Sequence, residues 1–197
     1  MRDERPGRQA ATPVGPGTLL VASPGLTDPN FSRTVVYMVE HREHGSLGVV
    51  LNRPSEAGVG EVLPKWAPLA SDPYGLFVGG PVDGTTALCL ACLKPGQRPD
   101  GLPGVVGVNG PVVLVDLDSD PTAVAPRLRG LRVFAGYSGW DAGQLAGEIS
   151  RGDWFVVPGL PDDVTTARHS DLWGRVLRRQ GPPLALLATF PVEIGLN

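Results

Sequence analysis

The hydrophobic positions of this chain come in short runs, not in long helical stripes. Residues 18–22 (Thr-Leu-Leu-Val-Ala) read as a short strand. Residues 34–40 are β-branched, aromatic and apolar on both faces, the pattern of a strand covered on both sides. The polar stretch His41-Arg42-Glu43-His44-Gly45 separates it from 47–51, where strand character resumes. The pair predicts a β-hairpin with a longer loop. Asn52-Arg53-Pro54 closes it, and Pro54 suits the first turn of a helix. Val62 and Trp66 fall four apart, so a short helix is expected within 58–66, with Pro64 against it. Strands are expected at 76–78, 87–93, 105–106 and 112–117, and a short helix or plain connection at 122–131. Residues 161–168 read as a turn or a single helical turn. Residues 171–180 predict a helix capped by Ser170 or Asp171, with Leu172, Val176 and Leu177 inward and Gly181 as its stop. Residues 184–190 read as a last strand.

The stretch 131–158 organises the rest. An apolar run, Leu131-Arg132-Val133-Phe134-Ala135, is followed by what reads as a glycine-broken turn, Gly136-Tyr137-Ser138-Gly139. A helix start comes next. Asp141 suits its N-cap, and Gln144 can reach back to the cap's own N–H. Trp140 and Leu145 have the spacing of a hydrophobic staple. Leu145 and Ile149 share one face, and Gly152 is a natural stop. A second apolar run, Trp154-Phe155-Val156-Val157, completes a strand, turn, helix, strand unit.

Many short strands with two to four helices, not alternating regularly, point to an α+β fold. Gly (27) and Pro (21) are abundant in the 197 residues, which agrees with many turns and short elements. The length suits a single domain with a real core. Residues 1–16, charged and then rich in Ala, Pro and Gly, read as a disordered arm, with the domain at 17–197.

A net charge of -3 gives no pull toward nucleic acid or an acidic membrane. No signal peptide is evident and no apolar run is long enough to span a bilayer, so a cytoplasmic location and no membrane partner are expected. Two cysteines do not make a disulfide framework.

By position 54 the motifs resemble a known family. Residues 17–22, Asp28-Pro-Asn-Phe-Ser-Arg-Thr-Val-Val-Tyr37, Glu40-His41 and Gly48-Val-Val-Leu-Asn-Arg-Pro54 are similar to the AlgH/YqgE family of bacterial proteins. So are Val78-Gly-Gly-Pro-Val82, Phe134-Ala-Gly-Tyr-Ser-Gly-Trp140, Gly143-Gln-Leu145, Trp154, Leu172-Trp173 and Leu177-Arg-Arg179. The resemblance covers nearly all of 17–197. It implies one α+β domain, a mixed, mostly antiparallel sheet curled toward a barrel and flanked by a few short helices, in the bacterial cytoplasm. It implies no agreed catalytic residue, and a transcriptional-regulator label drawn from one member. Asp141 stands where the family usually has Gly, and Ala146 where it usually has Glu. A general acid or base at the latter position would be lost in this chain.

Arg33, Asn52, Arg53, Tyr137, Trp140 and Gln144 match motif positions and are the candidate ligand-binding residues, expected to face one shared hollow. The plainer alternative is that such side chains cap backbone groups at strand ends. Arg33 is the best single candidate, because a guanidinium is a planar fork for a carboxylate or phosphate. Asp141 argues against an anion at the following helix start. Asp28, His41 and Glu148 are weaker candidates, as acids or bases of an enzyme on a small polar molecule. No catalytic residue is assigned. Gly136-Tyr-Ser138-Gly-Trp140 lacks the last glycine of a nucleophile elbow. Cys89 and Cys92, at i and i+3 of an apparent strand, point to opposite faces, so no metal and no cofactor are expected. The basic clusters Arg127, Arg129, Arg132 and Arg175, Arg178, Arg179 come with no helix-turn-helix pattern, so direct nucleic-acid binding is not expected. The leading expectation is a non-enzymatic regulatory protein that binds a small ligand or a protein partner. An acid/base enzyme and a DNA-touching regulator are the alternatives.

Overall fold

The computed structural model describes residues 12–191. Strands β1 (Thr18–Ala22), β2 (Val35–Arg42), β3 (Gly45–Val50) and β4 (Pro54–Gly58) come first, then a single turn, α1 (Val59–Val62). Strands β5 (Gly75–Val78), β6 (Val82–Leu93), β7 (Val105–Asn109) and β8 (Val112–Val115) follow, then α2 (Pro121–Val124). The last third holds β9 (Leu128–Asp141), α3 (Gln144–Arg151), β10 (Trp154–Pro158), α4 (Pro161–Thr165), α5 (Leu172–Arg178) and α6 (Leu184–Leu187).

The strands form one curled, mostly antiparallel sheet, ordered β10-β1-β2-β3-β9-β6-β8-β7, with β4 beside β5 and β5 parallel to β9. The long strand β9 joins two halves. Its first part pairs with β6, as Leu88 with Phe134, and with β5, as Phe77 with Phe134. Its last part pairs with β3, from Gly48 opposite Ser138 to Gly45 opposite Asp141.

Alternation along the strands sorts the apolar residues onto two faces. Leu19, Val21, Val35, Tyr37 and Val39 face a core shared with Leu90, Cys92, Phe134 and the buried residues of α4 and α5. Leu20, Ala22, Val36 and Met38 face the opposite way, onto Trp140, Leu145 and Trp154. In the other half, Cys89, Ala91, Val113, Leu131 and Val133 pack beneath Val59, Trp66 and Val124. Both faces of β1 and β2 are therefore covered, as their continuous apolar runs require.

Several local expectations change. The 136–139 stretch is not a turn: β9 runs straight through it. Gly136 takes φ +68, and a Cβ there would lie 2.7 Å from the Val82 carbonyl oxygen. Gly79 and Gly80 explain why. A Cβ on Gly79 would sit 2.3 Å from the Gly136 oxygen, and one on Gly80 2.3 Å from the Tyr137 carbonyl carbon. The two glycine motifs are where two backbones touch. The β2–β3 loop is tight, only Glu43-His44, because Arg42 pairs with Gly45 and His41 with Ser46. Pro54 begins a strand instead of a helical turn, pairing with Phe77. Residues 184–187 are helical, not a strand: Leu-Ala-Leu-Leu has high helix propensity and no β-branched residue. Asp141 does not cap α3. It still pairs with Gly45, so the chain needs Ala142-Gly143 to turn, and Gly143 at φ +77 is the N-cap. The reach of Gln144 back to the Asp141 N–H does form, at 3.0 Å. At α5, the Asp171 carboxylate grips Arg178 at 2.9 Å and caps no backbone group.

The arm expected at 1–16 falls mostly outside the described residues. Its last part is held in place, however. Val14 packs against the β1–β2 face, and Thr18 Oγ1 donates to the Gly15 carbonyl at 2.7 Å.

Candidate functional site

The six candidate residues divide between the two ends of the β2–β3 hairpin. Arg33, Asn52 and Arg53 stand where β2 begins and β3 ends. Tyr137, Trp140 and Gln144 stand beside the Glu43-His44 turn. The hollow lined by Tyr137, Trp140 and Gln144 includes none of Arg33, Asn52 and Arg53. They do not share one hollow. Sequence spacing could not reveal this, because it does not show which end of a hairpin meets a later strand.

At the first end the polar groups mostly hold backbone. Asn52 Oδ1 accepts from the Val35 N–H at 2.9 Å, and Asn52 Nδ2 donates to the Arg33 carbonyl at 2.9 Å. This clip fixes Arg33 at φ +54, a left-handed backbone that non-glycine residues seldom take. Arg33 lays its guanidinium over Trp173, 4.6 Å from the ring centre. Its Nη2 donates to the Phe190 carbonyl at 2.7 Å and to the Pro191 carbonyl. Arg53 reaches the Ser32 carbonyl at 3.4 Å. Burial holds its guanidinium below the ordinary value, against the neighbouring Asp28 carboxylate, which raises it. Asp28 itself accepts from the Asn30 N–H at 2.7 Å.

At the second end, a hollow of about 410 Å³ is lined by Glu40, His44, Ser46, Tyr137, Asp141 and Gln144, among others. Strand alternation sets this up. Tyr137, Gly139 and Asp141 share one face of β9, while Ser138 and Trp140 point inward and are buried. Leu47 and Tyr137 also touch the inner core and tie the hollow to it. Among the described residues no arginine or lysine lines the hollow. Glu40 pairs with Arg42, a neighbour outside the lining. His41 turns away to Ser46, its Nδ1 2.7 Å from Ser46 Oγ. Glu40, His44, Ser46 and Asp141 escaped the sequence reading as ligand contacts. A two-residue turn at Glu43-His44 was the signal that would have put them beside β9.

Beneath the hollow lies a polar clamp. Glu148 Oε2 accepts from both Trp140 Nε1 and Trp154 Nε1, each at 2.8 Å, and Glu148 Oε1 accepts from Gln144 Nε2 at 3.0 Å. The two indoles meet edge to face at 6.1 Å, with Phe31 beside both. Glu148 and Gln144 thus hold the α3 end of the hollow in place.

The remaining chemistry is internal. Ser138 is fully buried and its hydroxyl donates to the Gly79 carbonyl at 3.1 Å, so it faces no substrate. Cys89 and Cys92 face different cores, and burial pushes the Cys89 thiol up to about 12. The basic clusters are largely engaged. Arg132 is buried, donates to the Asp72 and Thr166 carbonyls, and is held down to about 10 by that burial. Arg129 pairs with Asp162, Arg178 with Asp171, and Arg179 with the buried Asp163. No helix among the described residues is long and apolar enough to cross a membrane.

A family model described as "DUF179: AlgH-like" matches residues 19–185. The chain belongs to the AlgH-like family. Its relatives in this family include a UPF0301 protein of Mycobacterium avium, 56% identical over 95% of this chain and 94% of that one. A UPF0301 protein of Rhodococcus jostii is 54% identical over 99% of this chain and 98% of that one. Two solved structures are similar throughout. A crystal structure from Corynebacterium diphtheriae superposes with TM-score 0.88 at 38% identity, covering 91% of this chain and 94% of that one. The solution structure of the AlgH protein from Pseudomonas aeruginosa superposes with TM-score 0.65 at 29% identity, covering 94% and 99%. The AlgH-like motifs quoted from the sequence divide in this fold into backbone contacts, such as Gly79-Gly80 against Gly136-Tyr137, and the edges of the two end hollows.

Proposed function

We propose that the protein is a non-enzymatic binding protein of the cytoplasm with a regulatory role, and that the hollow beside α3 receives its ligand. One observation carries this reading. Tyr137 and Gln144, singled out by motif, stand around one open space with Glu40, His44, Ser46 and Asp141. Asp141 and the Arg42-paired Glu40 line it, with no lysine or arginine among the described residues, so a cationic or hydrogen-bond-donating group beside Asp141 fits best. The ligand is a small polar molecule with such a group, or a polar side chain offered by a protein partner. The engagement of Arg129, Arg132, Arg178 and Arg179 within the fold supports this over direct DNA contact. The saturation of Glu148 by three donors supports binding over acid/base chemistry there.

The test is a thermal-shift screen of small amines, amides and amino acids against the intact protein. A stabilising ligand is expected that loses its effect in Asp141→Asn, an exposed position that keeps the native melting temperature when empty, and is weakened in Tyr137→Phe, which keeps the ring packed on the core. Turnover of a substrate, abolished by His41→Ala or Glu148→Gln, would overturn the reading.

A further inference from the structure

At the other end of the hairpin we propose a second binding site, headed by Arg33, for a small monocarboxylate carried on an apolar body. A hollow of about 750 Å³ opens there, within the range of small-molecule sites. Its walls are Pro24, Phe155, Leu187, Phe190 and Pro191, with Arg33 the one charged side chain among the described residues. Among the described residues no acidic side chain lines it.

The guanidinium is held ready rather than paired. Trp173 supports one face at 4.6 Å, and Nη2 rests on the two neutral carbonyls of Phe190 and Pro191. Among the described residues no carboxylate lies within ion-pair distance of it, and Nε and Nη1 have no hydrogen-bond acceptor. Carbonyls satisfy a donor but do not neutralise a cation; a carboxylate does both, through two parallel bonds. The strained left-handed backbone at Arg33, gripped through its own carbonyl by Asn52, fixes where that fork stands. One cation suits one negative charge, which favours a carboxylate over a phosphate dianion. Phe190, 53% exposed, and the neighbouring Phe155 and Leu187 supply the surface for an aryl or alkyl body. This site is separate from the hollow beside α3, so either reading can fail alone.

The experiment is calorimetric titration of the intact protein with 4-phenylbutyrate and, separately, with its neutral amide. The acid is expected to bind at least about ten-fold more tightly than the amide. Arg33→Lys should weaken the acid about ten-fold and leave the amide unchanged, because a lysine keeps the charge but not the fork. Phe190→Ala, on an exposed position, should weaken both and decides the matter if the lysine variant does not fold. No binding of the acid at millimolar concentration, equal affinity for acid and amide, or undiminished affinity in Phe190→Ala would each overturn the proposal.

Discussion

Replacing Glu148 by alanine tests whether this carboxylate is a clamp or a catalyst. Its Oε2 accepts from two indole N–H groups at 2.8 Å, and the tryptophans that carry them are 5% and 3% exposed. A hydrogen bond to a charged group contributes about 1.5–3 kcal/mol, and an orphaned buried donor costs a similar amount. Removing the acceptor should therefore destabilise the fold by about 3–5 kcal/mol, a large share of a typical domain's 5–15 kcal/mol. Glu148→Gln is the sharper control. Both indoles use the same oxygen, so an amide oxygen can still serve both. Only the charge and the Gln144 bond change, and the cost should fall to about 1–2 kcal/mol. Urea unfolding followed by far-UV circular dichroism measures each value without relying on tryptophan signal, provided the slope with denaturant stays constant. A double-mutant cycle of Glu148→Ala with Trp154→Phe should return a coupling of about 1.5–3 kcal/mol. A Glu148→Ala protein within about 1 kcal/mol of the parent, or a cycle with no coupling, would show that the carboxylate is not held for structure and would reopen an acid/base role.

Other outcomes follow from the same geometry. Asn52→Ala strips partners from the Val35 N–H and the Arg33 carbonyl and should cost about 1–3 kcal/mol in urea melts; no loss would mean that water replaces the clip. Gly80→Ala would drive a Cβ to 2.3 Å from the Tyr137 backbone, so soluble folded protein with an unchanged melting temperature would contradict the described crossing. The Cys89 thiol, pushed up to about 12, should resist alkylation at pH 8 until the protein unfolds. Its raised value means that the folded state holds a proton which the unfolded state releases above about 9. Its stabilising contribution is thus present below that pH and is lost as pH rises toward 12. A Cys89→Ala protein should accordingly lose less stability between pH 8 and pH 10, by about 1 kcal/mol, in paired denaturant melts.

Much of the architecture was legible from pattern. The runs at 18–22, 34–40 and 87–93 became β1, β2 and β6 because uninterrupted apolar stretches must be covered on both faces. The Leu145–Ile149 stripe and the Gly152 stop became α3 for equally local reasons. What misled was glycine. At 136–139 it was read as a turn, whereas it serves close approach of a second backbone, and nothing in a single segment distinguishes the two. At 184–187 apolarity alone could not separate strand from helix in so short a run. For the site, Arg33, Asn52 and Arg53 lie at strand ends as anticipated and Trp140 and Gln144 where β9 gives way to α3, whereas Tyr137 lies within β9, and their grouping depended on which strand meets which. Asn52 and Glu148 took the plainer role of satisfying buried donors. Tyr137 and Gln144 gained neighbours, His44 and Glu40, that only the tight hairpin and the β3–β9 pairing could supply.

The position of β9 also bears on how the protein is made. Strands β3, β5 and β6 are all synthesised before the one partner that links them, whose last paired residue is Asp141. Until that residue has left the ribosome, the earlier two-thirds of the chain must wait with long-range edges unjoined, which places this fold among slow, high-contact-order topologies. A nascent chain halted at residue 127 should stay protease-sensitive, and only one long enough to have released β9 and the core residues of α5 from the ribosome should begin to resist.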